Sequence, residues 1–232
     1  MPDLLSGLAF YVVFLLSTVL HEGAHAWAAL RGGDPTAYHG GQVTLNPIPH
    51  MRREPFGMVV LPLISVIMMG WPFGFASAPY NPQWALRHPK RAAWMALAGP
   101  AANLVLVLLA ALLIRVGMLA GVFHAPESVR FAHVVGTDGA GLSGVAFFLS
   151  TMFSLNLVLF ALNILPLPPL DGSAAMPLLL SDQTANRYQL FLWTNPALSW
   201  VGIILAWNLF GRIFMPVFLA AVNLLYPGAH YG

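Results

Sequence analysis

The sequence predicts an all-α polytopic membrane protein, with residues 1–232 forming a single integral-membrane domain. Hydrophobic residues make up 58% of the chain and charged residues only 8%, with a mean hydropathy of +0.74. A soluble domain of this length cannot bury so much apolar surface. Four apolar runs also reach the length of about 20 residues that a helix needs to cross a bilayer. They are residues 4–30, 92–120, 141–165 and 197–226.

The charge and the cysteine content exclude several classes of partner and site. The formal net charge of +2 is too small to indicate nucleic-acid binding. The chain has no cysteine, which rules out a disulfide framework and a thiolate metal site. A metal site in this protein therefore needs histidine and carboxylate ligands.

The first apolar run contains the sequence HEGAH at residues 21–25, inside a segment that is otherwise typical of a membrane helix. His21 and His25 are one helical turn apart on one face, so both imidazoles can reach a zinc ion at about 2.0 Å. Glu22 is placed to accept a proton from a water molecule at that metal. Each ionisable group in a membrane span costs several kcal/mol, which favours a functional role. A structural polar cluster is the alternative.

A third metal ligand is predicted at Asp171. Catalytic zinc sites usually have three protein ligands and one open position. No charged residue occurs from residue 139 to residue 170, and Asp171 follows three prolines that end the preceding helix and keep the chain extended. Such irregular backbone at membrane depth is tolerated where protein or a water-filled cavity covers it. The alternative is a proline-rich surface loop with an Asp-Gly turn.

A shared metal site constrains the topology. If His21 and Asp171 bind one ion, the first and third apolar runs must cross the membrane in the same direction. Two apolar segments lie between them, residues 58–75 and 92–120, so one of the two cannot cross. Residues 58–75 are shorter, contain one proline near the start and two glycines and a proline near the end, and have basic residues on both sides. We therefore predict that residues 58–75 are re-entrant and that the site opens toward the cytoplasm.

Residues 36–45, TAYHGGQVTL, predict a β-hairpin, because two short runs with β-forming residues flank a Gly-Gly pair. An exposed hairpin edge could pair with an extended substrate backbone as one more strand. An ordinary surface hairpin fits the sequence equally well.

Three motifs together resemble the site-2 protease family of intramembrane zinc metalloproteases. They are HEGAH, the run NILPLPPLDG at residues 163–172, and ALAGPAANL at residues 96–104. The resemblance is to compact bacterial and archaeal members without PDZ or CBS domains. It implies that His21, His25 and Asp171 bind one Zn²⁺ per chain and that Glu22 is the general base. It also implies a multi-pass protein of the cell membrane that cuts peptide bonds in or near transmembrane helices of membrane protein substrates.

The same resemblance implies substrate-binding asparagines. Asn163, at the start of the second motif, is the first candidate for positioning the substrate or polarising its carbonyl. Asn103 is a further candidate for that role or for helix packing, and Asn46 is another. Two other functions would use the same buried groups, namely a catalytically inactive scaffold and an ion or metal transporter. Transporters often show repeated halves, and this sequence has no internal repeat.

Overall fold

The computed structural model describes residues 4–232, apart from the side chains of Leu4 and Ala140. In this part of the chain four helices are long and apolar enough to span a membrane, and no β-sheet is present. The prediction of an all-α fold is confirmed, and the long helices match the four apolar runs to within three residues at each end. The helices are α1 (Leu4–Gly32), α2 (Thr36–His39), α3 (Pro47–Arg53), α4 (Leu61–Met69), α5 (Pro82–Arg87), α6 (Pro89–Leu119), α7 (Ser143–Asn163), α8 (Asp171–Ala175), α9 (Asp182–Thr194) and α10 (Ala197–Leu225).

Helices α1, α6 and α7 pack against one another and form the centre of the fold, and α10 packs against α7. Apolar side chains fill the space between these helices, while many outward-facing side chains of the same helices are large and apolar. That outward composition suits contact with lipid. The buried core includes Val13, Phe14, Leu106, Ile114, Phe153, Leu157, Phe218 and Val222.

Long-range hydrogen bonds show which helix ends lie together. Arg115, near the end of α6, donates to the backbone oxygen of Leu225 at the end of α10, over 3.3 Å. At the opposite end of the bundle, Lys90 at the start of α6 donates to the backbone oxygen of Pro177, over 2.8 Å.

Arg91, also at the start of α6, donates to the backbone oxygen of Gly32 at the end of α1 over 3.2 Å. The end of α1 and the chain that follows α7 therefore both lie beside the start of α6. Helices α1 and α7 run in the same direction and α6 runs against them, as the shared metal site requires.

The predicted re-entrant segment reverses direction, so that its end lies beside its start. It begins with a π-helical turn (Phe56–Val60), continues as α4, and ends that helix at Gly70 with φ of +80°. The chain then returns in an extended conformation, and the amide of Phe75 donates to the carbonyl of Gly57 over 3.1 Å. Both legs of the segment are thus adjacent, although its entry into a bilayer remains a prediction.

The predicted β-hairpin at residues 36–45 is wrong. Thr36–His39 form a helical turn, begun by Asp34, whose Oδ1 accepts from the backbone amide of Thr36 over 3.0 Å. Gly41 has φ of +71° and ends the turn. Its amide donates to Tyr38, and the next amide, of Gln42, donates to Ala37, a pattern that ends helices. The Gly-Gly pair is therefore a helix stop.

Candidate metal centre

Helix α1 brings two imidazole rings together one turn above the other. His21, Glu22 and His25 are all buried in the interior of the bundle. The Nε2 atoms of His21 and His25 are 3.0 Å apart, and the ring planes are nearly perpendicular at 82°. The helical spacing of HEGAH therefore produces the convergence of two nitrogen atoms that the sequence predicts.

The proline-rich connection after α7 delivers a carboxylate to the same point. Asp171 is the first residue of α8, and its Oδ2 lies 3.0 Å from Nε2 of His21 and 3.4 Å from Nε2 of His25. Gly172 permits this approach, because a Cβ there would collide with the carbonyl oxygen of Ile164 at the end of α7. One ligand atom from each of the three residues lies within 4.8 Å of the others, an arrangement that could hold a metal ion.

The other ring nitrogen of each histidine faces a hydrogen-bond acceptor. Nδ1 of His25 lies 2.8 Å from the backbone oxygen of Met95, and Nδ1 of His21 lies 2.5 Å from Oδ1 of Asn103. An oxygen of this kind accepts but does not donate, so each Nδ1 carries the hydrogen. Each Nε2 is then free to bind a metal, which is the usual arrangement of metal-binding histidines.

The electrostatics of the three converging atoms favour a cation between them. Burial raises the pKa of the Asp171 carboxyl, but the positive charge that His25 and His21 carry when protonated outweighs burial and holds that pKa below its usual value. The carboxyl is therefore ionised at neutral pH. Two imidazole nitrogens and a carboxylate oxygen this close together repel one another unless a proton or a metal ion lies among them. Two nitrogen ligands and one oxygen ligand are a donor set suited to zinc.

Gly99, on α6, is a residue of the site that the sequence analysis did not single out. A Cβ on Gly99 would come within 2.5 Å of Nε2 of His21 and would also collide with Nε2 of His25. Any side chain at this position would therefore displace both imidazole rings. The signal in the sequence was the Gly-Pro pair inside an apolar helix, at residues 99–100.

A cavity of about 280 Å³ opens beside the three converging residues. Oε2 of Glu22 is buried there and has no hydrogen-bond partner in residues 4–232. Tyr80 lines the same cavity, and burial raises the pKa of its phenol, which therefore stays protonated. The residues that line the cavity include Glu22, His25, Tyr80, Asp171, Tyr188 and Trp193.

The three predicted asparagines do not meet in this cavity. Asn103 is fully buried, and its amide contacts His21 and Asn156, which agrees with the helix-packing alternative and leaves its substrate role a prediction. Asn46 is exposed and caps α3 by accepting from the amide of Ile48 over 3.0 Å. Asn163 is half-buried at the end of α7. Neither Asn46 nor Asn163 belongs to the described cavity wall, and their substrate roles remain predictions.

Comparisons with known proteins agree with this arrangement. "Putative zinc metalloprotease YwhC" of Bacillus subtilis is 35% identical over 161 residues, which are 69% of this chain and 64% of the relative. "Putative zinc metalloprotease Rip2" of Mycolicibacterium smegmatis is 33% identical over 171 residues, 74% of this chain and 57% of the relative. The chain thus spans less than two thirds of the length of these relatives.

No solved structure matches the chain. The sequence pattern described as peptidase family M50 matches residues 9–209, which include HEGAH and Asp171. Because this match covers most of the chain, the chain belongs to peptidase family M50, the site-2 protease family.

Proposed function

We propose that this protein is an intramembrane zinc metalloendopeptidase that hydrolyses peptide bonds in or near transmembrane segments of membrane protein substrates. The observation that carries the proposal is the convergence of His21, His25 and Asp171 beside the unpaired carboxylate oxygen of Glu22. The names of the two relatives as zinc metalloproteases support it. Four helices long enough to span a membrane support a membrane-embedded substrate.

The three converging residues would hold one Zn²⁺ per chain through two Nε2 atoms and the Asp171 carboxylate. When bound, zinc would polarise the scissile carbonyl and lower the pKa of a nearby water to about 7. Glu22 would take the proton from this water as it attacks and would pass it to the leaving amine. The protonated hydroxyl of Tyr80, which lines the same cavity, is a donor for the substrate carbonyl.

The substrate backbone would lie along the extended chain that returns from α4. Residues 76–80 run beside the cavity, and in the described structure they make no backbone–backbone hydrogen bond. A substrate helix must unwind locally before its carbonyl can reach the site. Pairing with residues 76–80 would then replace part of the lost backbone hydrogen bonds. The pairing with substrate that the sequence analysis considered for residues 36–45 is thus proposed for residues 76–80.

The distribution of basic residues supports a cavity that opens toward the cytoplasm of the cell membrane. Seven of the ten basic residues lie at the end of the bundle that holds the cavity, in α1, α3, α5, α6 and α9, and an excess of basic residues marks the cytoplasmic side. At the opposite end lie Arg115 and Arg130. The residues at the cavity end are Arg31, Arg52, Arg53, Arg87, Lys90, Arg91 and Arg187.

The experiment that tests the proposal compares the wild type with Glu22→Gln and Asp171→Ala, all purified in detergent. We would measure zinc per chain and the cleavage of dye-labelled peptides, each a single apolar helix interrupted by Gly-Pro. We expect about one zinc in the wild type, retained in Glu22→Gln with a loss of cleavage of at least about 10²-fold. We expect Asp171→Ala to lose zinc.

Cleavage at the wild-type rate by Glu22→Gln would remove this residue from the role of base. Full zinc retention by Asp171→Ala would refute its assignment as a ligand. A wild type that holds no zinc would favour the inactive scaffold. Zinc movement across vesicles without peptide cleavage would favour the transporter.

A further inference from the structure

We propose that Asn103, Asn156 and Ser17 form a buried relay whose role is to hold His21 in the orientation and tautomer that bind the metal. The relay consists of side chains from three different helices, α6, α7 and α1. All three residues are 0% exposed, and none of them lines the described cavity. The inference rests on the proposed metal site, and it assigns these residues to positioning and not to contact with substrate.

The relay is a continuous chain of hydrogen bonds. It begins at Nδ1 of His21, which lies 2.5 Å from Oδ1 of Asn103. Nδ2 of Asn103 donates to Oδ1 of Asn156 over 2.8 Å. Nδ2 of Asn156 donates to Oγ of Ser17 over 2.9 Å and to the backbone oxygen of Met152 over 2.8 Å. Each bond except the last joins two different helices.

The donor and the acceptor of every hydrogen bond in the relay follow from the backbone carbonyl of Met152, where the relay ends. The carbonyl of Met152 can only accept, so the atom of Asn156 that faces it must be the amide nitrogen. The oxygen of Asn156 then faces Asn103 and requires a donor there, which places the oxygen of Asn103 against His21. His21 must in turn carry its hydrogen on Nδ1. A fixed backbone carbonyl thus determines that Nε2 of His21 is the metal-binding nitrogen.

The two histidines differ in how they are held. Nδ1 of His25 faces the backbone carbonyl of Met95, which remains whatever residue occupies position 95. His21 has only a side-chain acceptor, and that side chain is itself held by Asn156. Side-chain substitutions can therefore disturb the orientation of His21 while leaving that of His25 in place.

Packing alone does not account for this chain of polar groups. Two fully buried carboxamides must be fully hydrogen-bonded, because each unpaired polar group in such an interior costs stability. Ser154, also on α7 and 0% exposed, has a hydroxyl without a partner in the described structure. Small polar residues are thus tolerated at this depth, and within residues 4–232 the relay is what connects them to a metal-ligand candidate.

The test measures zinc affinity by chelator competition in detergent-purified protein. Asn103→Leu removes the acceptor for His21 at nearly constant volume, and we expect a 10- to 100-fold loss of affinity, as is typical for residues that support metal ligands. Asn103→Asp keeps an oxygen acceptor toward His21 but loses the donor toward Asn156, so we expect a zinc affinity between that of Asn103→Leu and that of the wild type. Ser154→Ala is the matched control and should bind zinc like the wild type.

Two further measurements separate positioning from general stability. In ¹⁵N-histidine spectra of the metal-free protein, Asn103→Leu should change the Nδ1 signal of His21 more than the Nδ1 signal of His25, which faces the backbone carbonyl of Met95. Ser17→Ala, which removes only the far acceptor, should lower zinc affinity by about two- to tenfold, the factor expected from one hydrogen bond. This variant also tests the relay if Asn103→Leu does not fold.

The relay is refuted if the wild type binds zinc and Asn103→Leu binds it within twofold of the wild type. It is also refuted if Asn103→Asp is as weak as Asn103→Leu, or if a folded Ser17→Ala behaves like Ser154→Ala. A wild type without zinc affinity would instead overturn the proposed function itself, so the two failures are distinguishable.

Discussion

Gly99→Ala should abolish tight zinc binding without unfolding the protein. The added Cβ would lie 2.5 Å from Nε2 of His21, whereas an ordinary contact begins at 3.4 Å. The imidazole or the backbone of α6 must therefore move by 3.4 − 2.5 = 0.9 Å. Zinc–ligand distances tolerate only about 0.2 Å of deviation. The displacement of His21 exceeds that tolerance several-fold. The collision of the same Cβ with His25 displaces the second ligand as well.

The substitution should cost about 1–3 kcal/mol of stability, which is usual for an extra methyl group in a packed interior. Helix α6 should therefore remain folded. Because both nitrogen ligands are displaced, the loss of zinc affinity should exceed the 10- to 100-fold typical of one weakened supporting contact. The assay is zinc per chain together with chelator competition, with helicity measured by circular dichroism.

Gly211→Ala is the matched control, because Gly211 lies inside α10 and a Cβ there meets no atom within 4 Å. It should retain zinc, and it should stabilise the helix by about 0.5–1 kcal/mol. If folded Gly99→Ala held one zinc per chain with the affinity of the wild type, the metal would not lie where the two Nε2 atoms meet. The geometry of the proposed site would then be wrong.

Two further predictions concern the connections that surround the site. Lys90→Met should lower the free energy of unfolding by about 1.5–3 kcal/mol, because the ammonium of Lys90 donates to the backbone oxygens of Pro177, Leu178 and Leu180. A melting temperature equal to that of the wild type would contradict this role. Gly41→Ala should destabilise by about 1–2 kcal/mol because φ is +71°, whereas Gly40→Ala, with φ of −77°, should be close to neutral. If thermal melting showed equal destabilisation by the two substitutions, residues 40–41 would form the type I′ turn of a hairpin, which needs positive φ at both positions.

The membrane helices and the converging ligands could be predicted from the sequence because their signals are local. A helix long enough to cross a bilayer needs an apolar run of that length, and the structure reproduces all four runs. The spacing of His21 and His25 follows from the helical repeat. Asp171 stands out because the preceding stretch is uncharged. The requirement that both histidines and this aspartate meet then fixed the relative direction of α1 and α7.

The hairpin prediction failed because the Gly-Gly pair at residues 40–41 permits two backbone paths. A hairpin turn and a helix stop both use glycine with positive φ. Asp34 favours the helix stop, because its carboxylate accepts hydrogen bonds from the amide and the hydroxyl of Thr36 and so begins a helical turn before the glycines. Asp34 also accepts from the amide of Asn81, a contact across 47 residues. That second contact holds Asp34 in place, and local sequence patterns cannot reveal it.

The role of Asn103 was open to two interpretations because a polar residue in a membrane helix can face a cavity or pair inside the bundle. Which of these occurs depends on the rotation of α6 relative to α1 and α7, and the helical repeat of α6 alone does not determine that rotation. Gly99 and Asn103 are four residues apart, so they lie on the same face of α6. Once Gly99 must face the histidines, Asn103 must face His21 as well. Glycine at residue 99 lets α6 approach α1 closely. At that distance the amide of Asn103 reaches His21, so both residues follow from the close packing of α6 on the two imidazoles.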